Sequence, residues 1–155
     1  MLFVASVLLQ VGPYAAWKER HQPDMPVFPP CVLQTASTMA TSMAQLPPDV
    51  VEEFHRAIGN RKVSDAGGPF NSTDVIDDED VPQHRFLRAY NIAGYWVIWF
   101  ELGGRVSGPR TIAFTRERSQ RNKERKYVVQ HGTRFVGNLC AATNAIADGA
   151  RSTEY

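Results

Sequence analysis

Residues 95–100, Tyr-Trp-Val-Ile-Trp-Phe, constrain the fold more than any other stretch of this chain. All six are aromatic or β-branched, and six residues is the length of a strand rather than a helix. Asn91-Ile92-Ala93-Gly94 precedes the run, and Gly103-Gly104-Arg105-Val106-Ser107-Gly108-Pro109 follows it. Both flanks are turn chemistry. Residues 86–115 therefore read as strand, turn, strand, turn, strand.

Strands are expected over 85–90, 95–102 and 110–115, with a fourth over 127–131 after a basic connection at 116–126. Connections this short favour an antiparallel meander. One helix is expected over 47–58. Pro47-Pro48 suit its start, Asp49, Glu52 and Glu53 favour its positive end, and Gly59-Asn60 stop it. Val51, Phe54 and Ile58 form its apolar stripe. A second helix is expected over 134–147, where Phe135, Leu139, Ala142 and Ile146 share one face. The fold class that follows is α+β: a four-stranded antiparallel meander with the N-terminal and C-terminal helices packed on one face, all within one domain at 46–150. One helix followed by such a meander resembles the cystatin-like arrangement in element order. The Gln-x-Val-x-Gly loop of cystatins is absent, the extra helix departs from their pattern, and no site residue carries over.

Ahead of this domain, residues 2–11 are apolar and end at Gly12-Pro13. The run is far shorter than the ~20 residues of a membrane span and fits the core of a secretory signal over 1–16. The competing assignment is a first strand of a cytosolic protein. Export, to the periplasm or beyond the cell, is the expectation. Residues 17–45 hold Pro23, Pro26, Pro29 and Pro30 without apolar periodicity and read as a linker. Ser42-Met43-Ala44 also suits a signal-cleaving enzyme. Cys31 and Cys140 match no zinc or redox spacing. In an oxidising compartment they would pair; in a reducing one they would be two unrelated thiols. Cleavage near Ala44 would remove Cys31, so the disulfide and that cleavage exclude each other.

A net charge of +1 hides an uneven distribution: −2 over residues 1–60, −4 over 61–84 and +7 over 85–155. An acidic loop thus precedes a basic sheet and tail. The loop's Asp74, Asp77, Asp78, Glu79 and Asp80 lack the alternation and glycine of a calcium loop. Asn71-Ser72-Thr73 is an N-glycosylation sequon, meaningful in a eukaryotic secretory pathway.

Strand side chains alternate between faces. Trp96, Ile98, Phe100, Ile112 and Phe114 are assigned to the helix-covered face. Arg88, Tyr90, Tyr95, Trp99 and Thr111 then gather on the other. Left open, that face is a platform for a protein or a carbohydrate; covered, it packs under the N-terminal segment or a second subunit of a homodimer. A second candidate is the basic stretch with Arg116, Arg118, Arg121 and Lys123, which would take anionic polymers or stand as a solvated loop. Catalytic signals are sparse. His21, His55, His84 and His131 form no H-E-x-x-H pattern, and no G-x-S-x-G elbow occurs. No motif calls for a metal or another cofactor. The expected function is a small exported non-enzymatic binding module. The rival is a small hydrolase with its site between the 64–83 loop and His131.

Overall fold

The computed structural model describes residues 25–76, 78–118 and 125–153. The signal-like segment at 1–16 lies outside the described residues, as do Asp77, Arg121 and Lys123. In chain order the elements are β1 (Ser37–Ala40), a 3-10 turn (Met43–Gln45), α1 (Pro48–Ala57), β2 (His84–Ile92), β3 (Tyr95–Leu102), β4 (Gly108–Arg118), β5 (Arg125–Gln130) and α2 (Leu139–Ala147). Each strand pairs antiparallel with the next, in the order β1-β2-β3-β4-β5.

The sheet has five strands, not the expected four. The extra strand, β1, comes from the segment expected to be linker. Its Ser-Thr-Met-Ala sequence buries only Ala40. Nothing in those four residues favours a strand strongly. The free edge of β2, from Ala89 to Ile92, supplies the hydrogen-bonding partner that does. β1 also precedes Ala44, so cleavage there would remove a strand as well as Cys31.

The two helices lie on opposite faces, which corrects the one-face arrangement. α1 buries Val50 and Phe54 against Phe86, Ala89, Trp96, Ile98, Phe100, Ile112 and Phe114. The rings of Phe100 and Phe114 meet Phe54 edge-on, at 5.5 and 6.3 Å. α2 buries Leu139 and Ile146 against Leu87, Tyr90, Val97 and Trp99 on the far side. Leu139 and Ile146 therefore do not meet Trp96. The reason lies in β3, whose two faces are both apolar. A strand apolar on both faces requires cover on both. After β5 the chain turns at Gly132, with φ 72°, and returns alongside β4. Thr111 donates its N–H to the Phe135 carbonyl at 3.0 Å, and Arg110 bridges to Val136. That return path delivers α2 to the face α1 leaves bare. It also holds residues 134–138 out of the helix, so α2 begins at Leu139. The Asn138 side chain caps it by accepting from the Ala141 N–H at 3.0 Å.

A bulge between Phe86 and Arg88 breaks the alternation of β2. Phe86 joins Ala89 on the α1 face, while Leu87, Arg88 and Tyr90 sit on the α2 face. Strict alternation would put Phe86 on the same face as Arg88 and Tyr90.

Residues 25–34 form a strap over the α2 face. Cys31 and Cys140 are joined in a disulfide, with Cα atoms 5.4 Å apart. Asn144 of α2 ties the strap further: its Oδ1 accepts from the Gln34 N–H, and its Nδ2 donates to the Val32 carbonyl, both at 3.0 Å. Met25, Phe28 and Leu33 pack against the cluster beneath. Among the described residues no helix is long and apolar enough to cross a membrane.

Candidate functional site

The five residues assigned to an open sheet face are covered to very different degrees. Trp99 is 1% exposed and Thr111 fully buried. The Trp99 indole N–H donates to Thr143 Oγ1 of α2 at 2.8 Å. Thr111 Oγ1 donates to the Thr133 carbonyl at 2.8 Å and accepts from the Phe135 N–H at 3.1 Å, which pins the return path to β4. Tyr90 is buried beside Trp99, with ring centroids 5.2 Å apart. Tyr95 is half-buried, and its hydroxyl accepts from Arg151 Nη2 at 2.8 Å. Arg88 is half-buried and lies over two rings, 5.1 Å from Phe28 and 5.4 Å from Trp99. Arg88, Tyr90 and Trp99 therefore form one cluster beneath the strap. Thr111 and Tyr95 serve the return path and the C-terminal tail.

The basic stretch behaves differently. β4 and β5 extend past the core as a two-stranded arm, and their register sorts its charges. Arg116 stands opposite Tyr127, and Arg118 opposite Arg125, so these four share one face. Glu117 and Lys126 face each other on the reverse side. Arg116, Arg118 and Arg125 are exposed, and none is in an ion pair among the described residues. The Arg116 guanidinium lies 4.9 Å from the Tyr127 ring.

Below the arm a groove of about 640 Å³ runs between α1 and β5, with Asp49, Glu52 and Glu53 on one wall and Arg125, Lys126 and Tyr127 on the other. Glu53 closes its inner end. Its carboxylate is bonded by the Arg56 guanidinium and accepts from the Val129 N–H of β5 at 3.1 Å. Those bonds outweigh partial burial and hold the Glu53 carboxyl below its ordinary pKa. This contact fixes the direction of the outer edge of β5. The Val129 N–H points away from β4, so the alternate residues Arg125 and Tyr127 turn their backbone groups the same way.

The chain matches no family model, and no curated protein or solved structure matches it. Its likeness to the cystatin-like arrangement thus remains one of element order.

His131 lines an open groove of about 790 Å³ with Arg56, Arg134 and Ser152, and none of the described residues of 64–83 lines that groove. His84 is buried and stacks on Phe100 at 6.5 Å, within 12° of parallel. Burial, reinforced by the nearby Arg61 charge, lowers its pKa to about 4, so the ring is neutral at pH 7. The 64–83 loop instead closes one end of the sheet. Ser64 takes the place of a strand neighbour at the free edge of β2, accepting from the Phe86 N–H at 2.8 Å and donating to the His84 carbonyl at 2.9 Å. Arg85 is 1% exposed, pairs with Glu101 at 2.6 Å and lies over the Phe70 ring at 4.7 Å. The sequon is built into this closure. Asn71 is 1% exposed; its Nδ2 donates to the Val75 carbonyl at 2.7 Å and its Oδ1 accepts from the Thr73 N–H at 2.9 Å. In the folded domain that amide nitrogen is a structural donor inside a turn. Among the described residues no group of three or more His, Cys, Asp or Glu side chains is placed to hold a metal ion.

Sequence reasoning missed two participants. Arg125 lies within the basic connection at 116–126, but Tyr127 joins Arg116, Arg118 and Arg125 on one face only through the strand register, which loop composition does not encode. Phe28 sits in a proline-rich stretch with no apolar periodicity, and no local signal marks its role.

Proposed function

We propose that the protein is a small exported, non-enzymatic binding module whose contact surface is the basic face of the β4–β5 arm. Its ligand class is an anionic polymer, recognised through phosphate or sulfate groups. One observation carries this reading: Arg118 stands directly opposite Arg125, next to Arg116 and Tyr127 on the same face. Like charges opposite one another weaken a strand pair, by roughly 0.2–1 kcal/mol. Strand pairing gives no reason to set Arg118 against Arg125, whereas an anion lying across the arm would neutralise all three guanidiniums at once. The stacked Tyr127 ring adds a flat apolar surface beside the charges. The Cys31–Cys140 bridge supports the exported part of the reading, since such bonds persist in oxidising compartments.

The test is binding to heparin and to duplex DNA across a salt series. Affinity should fall steeply with salt. Replacing Arg116, Arg118 and Arg125 together by Ser should lower the slope of log affinity against log salt on DNA by about 2–3. Stability should stay within about 1 kcal/mol of the parent, because the three charges are exposed and mutually repulsive. Absence of binding at low salt, or an unchanged slope in the triple variant, would refute the assignment.

A further inference from the structure

We propose that Arg88, Tyr90 and Trp99 form a recognition site for an aromatic side chain on an extended, proline-flanked peptide segment of a partner protein, and that Phe28 of the chain's own strap is its resident occupant. The Phe28 ring meets Trp99 edge-on, with centroids 5.3 Å apart and planes at 71°. The Arg88 guanidinium covers both rings, and Tyr90 backs Trp99. This is the geometry of an aromatic ligand held by cation–π and edge contacts.

Two of the three cradle residues are held by parts of the fold outside the strap. Trp99 is fixed from the other side by Thr143 of α2, whose own hydroxyl proton goes to the Leu139 carbonyl. Tyr90 and Trp99 also stand on paired strands in the middle of the sheet.

The strap, by contrast, is fastened at few points. Residues 25–34 belong to no strand or helix. Val27 is 97% and Val32 79% exposed. Among the described residues its covalent and polar fastenings are the disulfide, the two Asn144 hydrogen bonds and a contact from the Gly67 N–H to Met25 Sδ at 3.1 Å, beside the apolar packing of Met25, Phe28 and Leu33. Three of the four thus run to the strap's Cys31–Gln34 end, and two are hydrogen bonds that water can replace. Around Phe28 the sequence is Pro26-Val27-Phe28-Pro29-Pro30. Its prolines hold the segment extended at low entropic cost, which is how proline-rich ligands dock aromatic grooves. The strap therefore describes the chemistry of the segment that would replace it.

Replacement requires release of the clamp. A dithiol protein reductant would attack one sulfur of the Cys31–Cys140 bridge and form a mixed disulfide. Its second thiolate would then displace the chain. The reductant ends as a disulfide, and two electrons and two protons end on the Cys31 and Cys140 thiols.

The probe is a fluorescent peptide of residues 25–34 carrying Cys31→Ser, with a second peptide carrying Phe28→Ala as well. The receptor is the full-length chain, either as the oxidised parent or as the Phe28→Ala/Cys31→Ser variant. The variant should bind the first peptide at least about tenfold more tightly than the oxidised parent does, and the second peptide should bind neither. Hydrogen exchange on the parent gives an independent readout. Amides of 25–34 should exchange at least about tenfold faster on reduction, with the β2–β4 amides unchanged. A folded variant that ignores the peptide overturns the proposal, as does equal exchange in the oxidised and reduced parent. Reoxidation to dimers cross-linked between Cys31 of one copy and Cys140 of another, without peptide binding, would assign the site to strap exchange and overturn the partner.

Discussion

Trp96 and Trp99 lie on the same strand, both buried, and should nonetheless respond unequally to replacement by Phe. The difference is one hydrogen bond. Trp99 Nε1 donates to Thr143 Oγ1 at 2.8 Å. Trp96 Nε1 is buried without a partner among the described residues. Trp→Phe removes roughly 40 Å³ of ring, and at ~24 cal/mol per Å³ of unfilled cavity this costs about 1 kcal/mol at either site. At Trp99 the lost bond adds about 1 kcal/mol, and the altered edge contacts with Phe28 and Tyr90 add a few tenths more. The expected loss there is about 2–3 kcal/mol. At Trp96 the substitution removes an unsatisfied buried donor, whose desolvation costs about 1–3 kcal/mol in the parent. That relief offsets the cavity, leaving a net change of about 0 ± 1 kcal/mol. Urea melts of both variants give the two values directly. In a thermal melt the gap corresponds to roughly 5–15 °C for a domain of this size. A Trp96→Phe variant as destabilised as Trp99→Phe would refute the reasoning.

Two further predictions follow from the loop end of the sheet. His84 is neutral in the fold, with a pKa lowered from 6.5 to about 4, so the unfolded chain takes up a proton that the folded one does not between those values. Its contribution to stability is complete above pH 6.5 and lost as the pH falls towards 4. The loss is on the order of 3 kcal/mol, and His84→Phe should flatten that part of the stability–pH curve; an unchanged slope would mean the ring is solvated. Gly103 donates its N–H to the Gln83 carbonyl, and a Cβ there would fall 2.0 Å from the Asn71 backbone oxygen. Gly103→Ala should therefore cost about 2–4 kcal/mol by forcing the 71–72 backbone away, and a melt within 1 °C of the parent would show the loop yields freely.

The elements that nearest-neighbour chemistry defines were legible in the chain. The run at 95–100 became β3, and the turn residues on each side of it became the connections to β2 and β4. Pro47-Pro48 and Gly59-Asn60 bounded α1 to within a residue or two. The stripe Leu139, Ala142 and Ile146 is buried as its spacing required. The cysteine pair was a stated alternative, and the bridge is formed.

What stayed hidden depends on partners distant in sequence. An amphipathic helix announces that it has an apolar face, but not which side of a sheet will receive it. That was decided by the path after β5, through hydrogen bonds between Thr111, Thr133 and Phe135. β1 exists because β2 offers an edge, and the bulge at Leu87 is a property of strand pairing rather than of leucine. The aromatic cluster of Arg88, Tyr90 and Trp99 was readable from alternation along the central strands, since that rule is local. Its cover was not. Phe28 reaches it only because a disulfide fastens residue 31 to residue 140, and no spacing rule measures contacts made across so much of the chain. By itself the sequence determined the local backbone and the identity of the faces; the tertiary structure decided what lies against each face, because burial is settled by the whole chain at once.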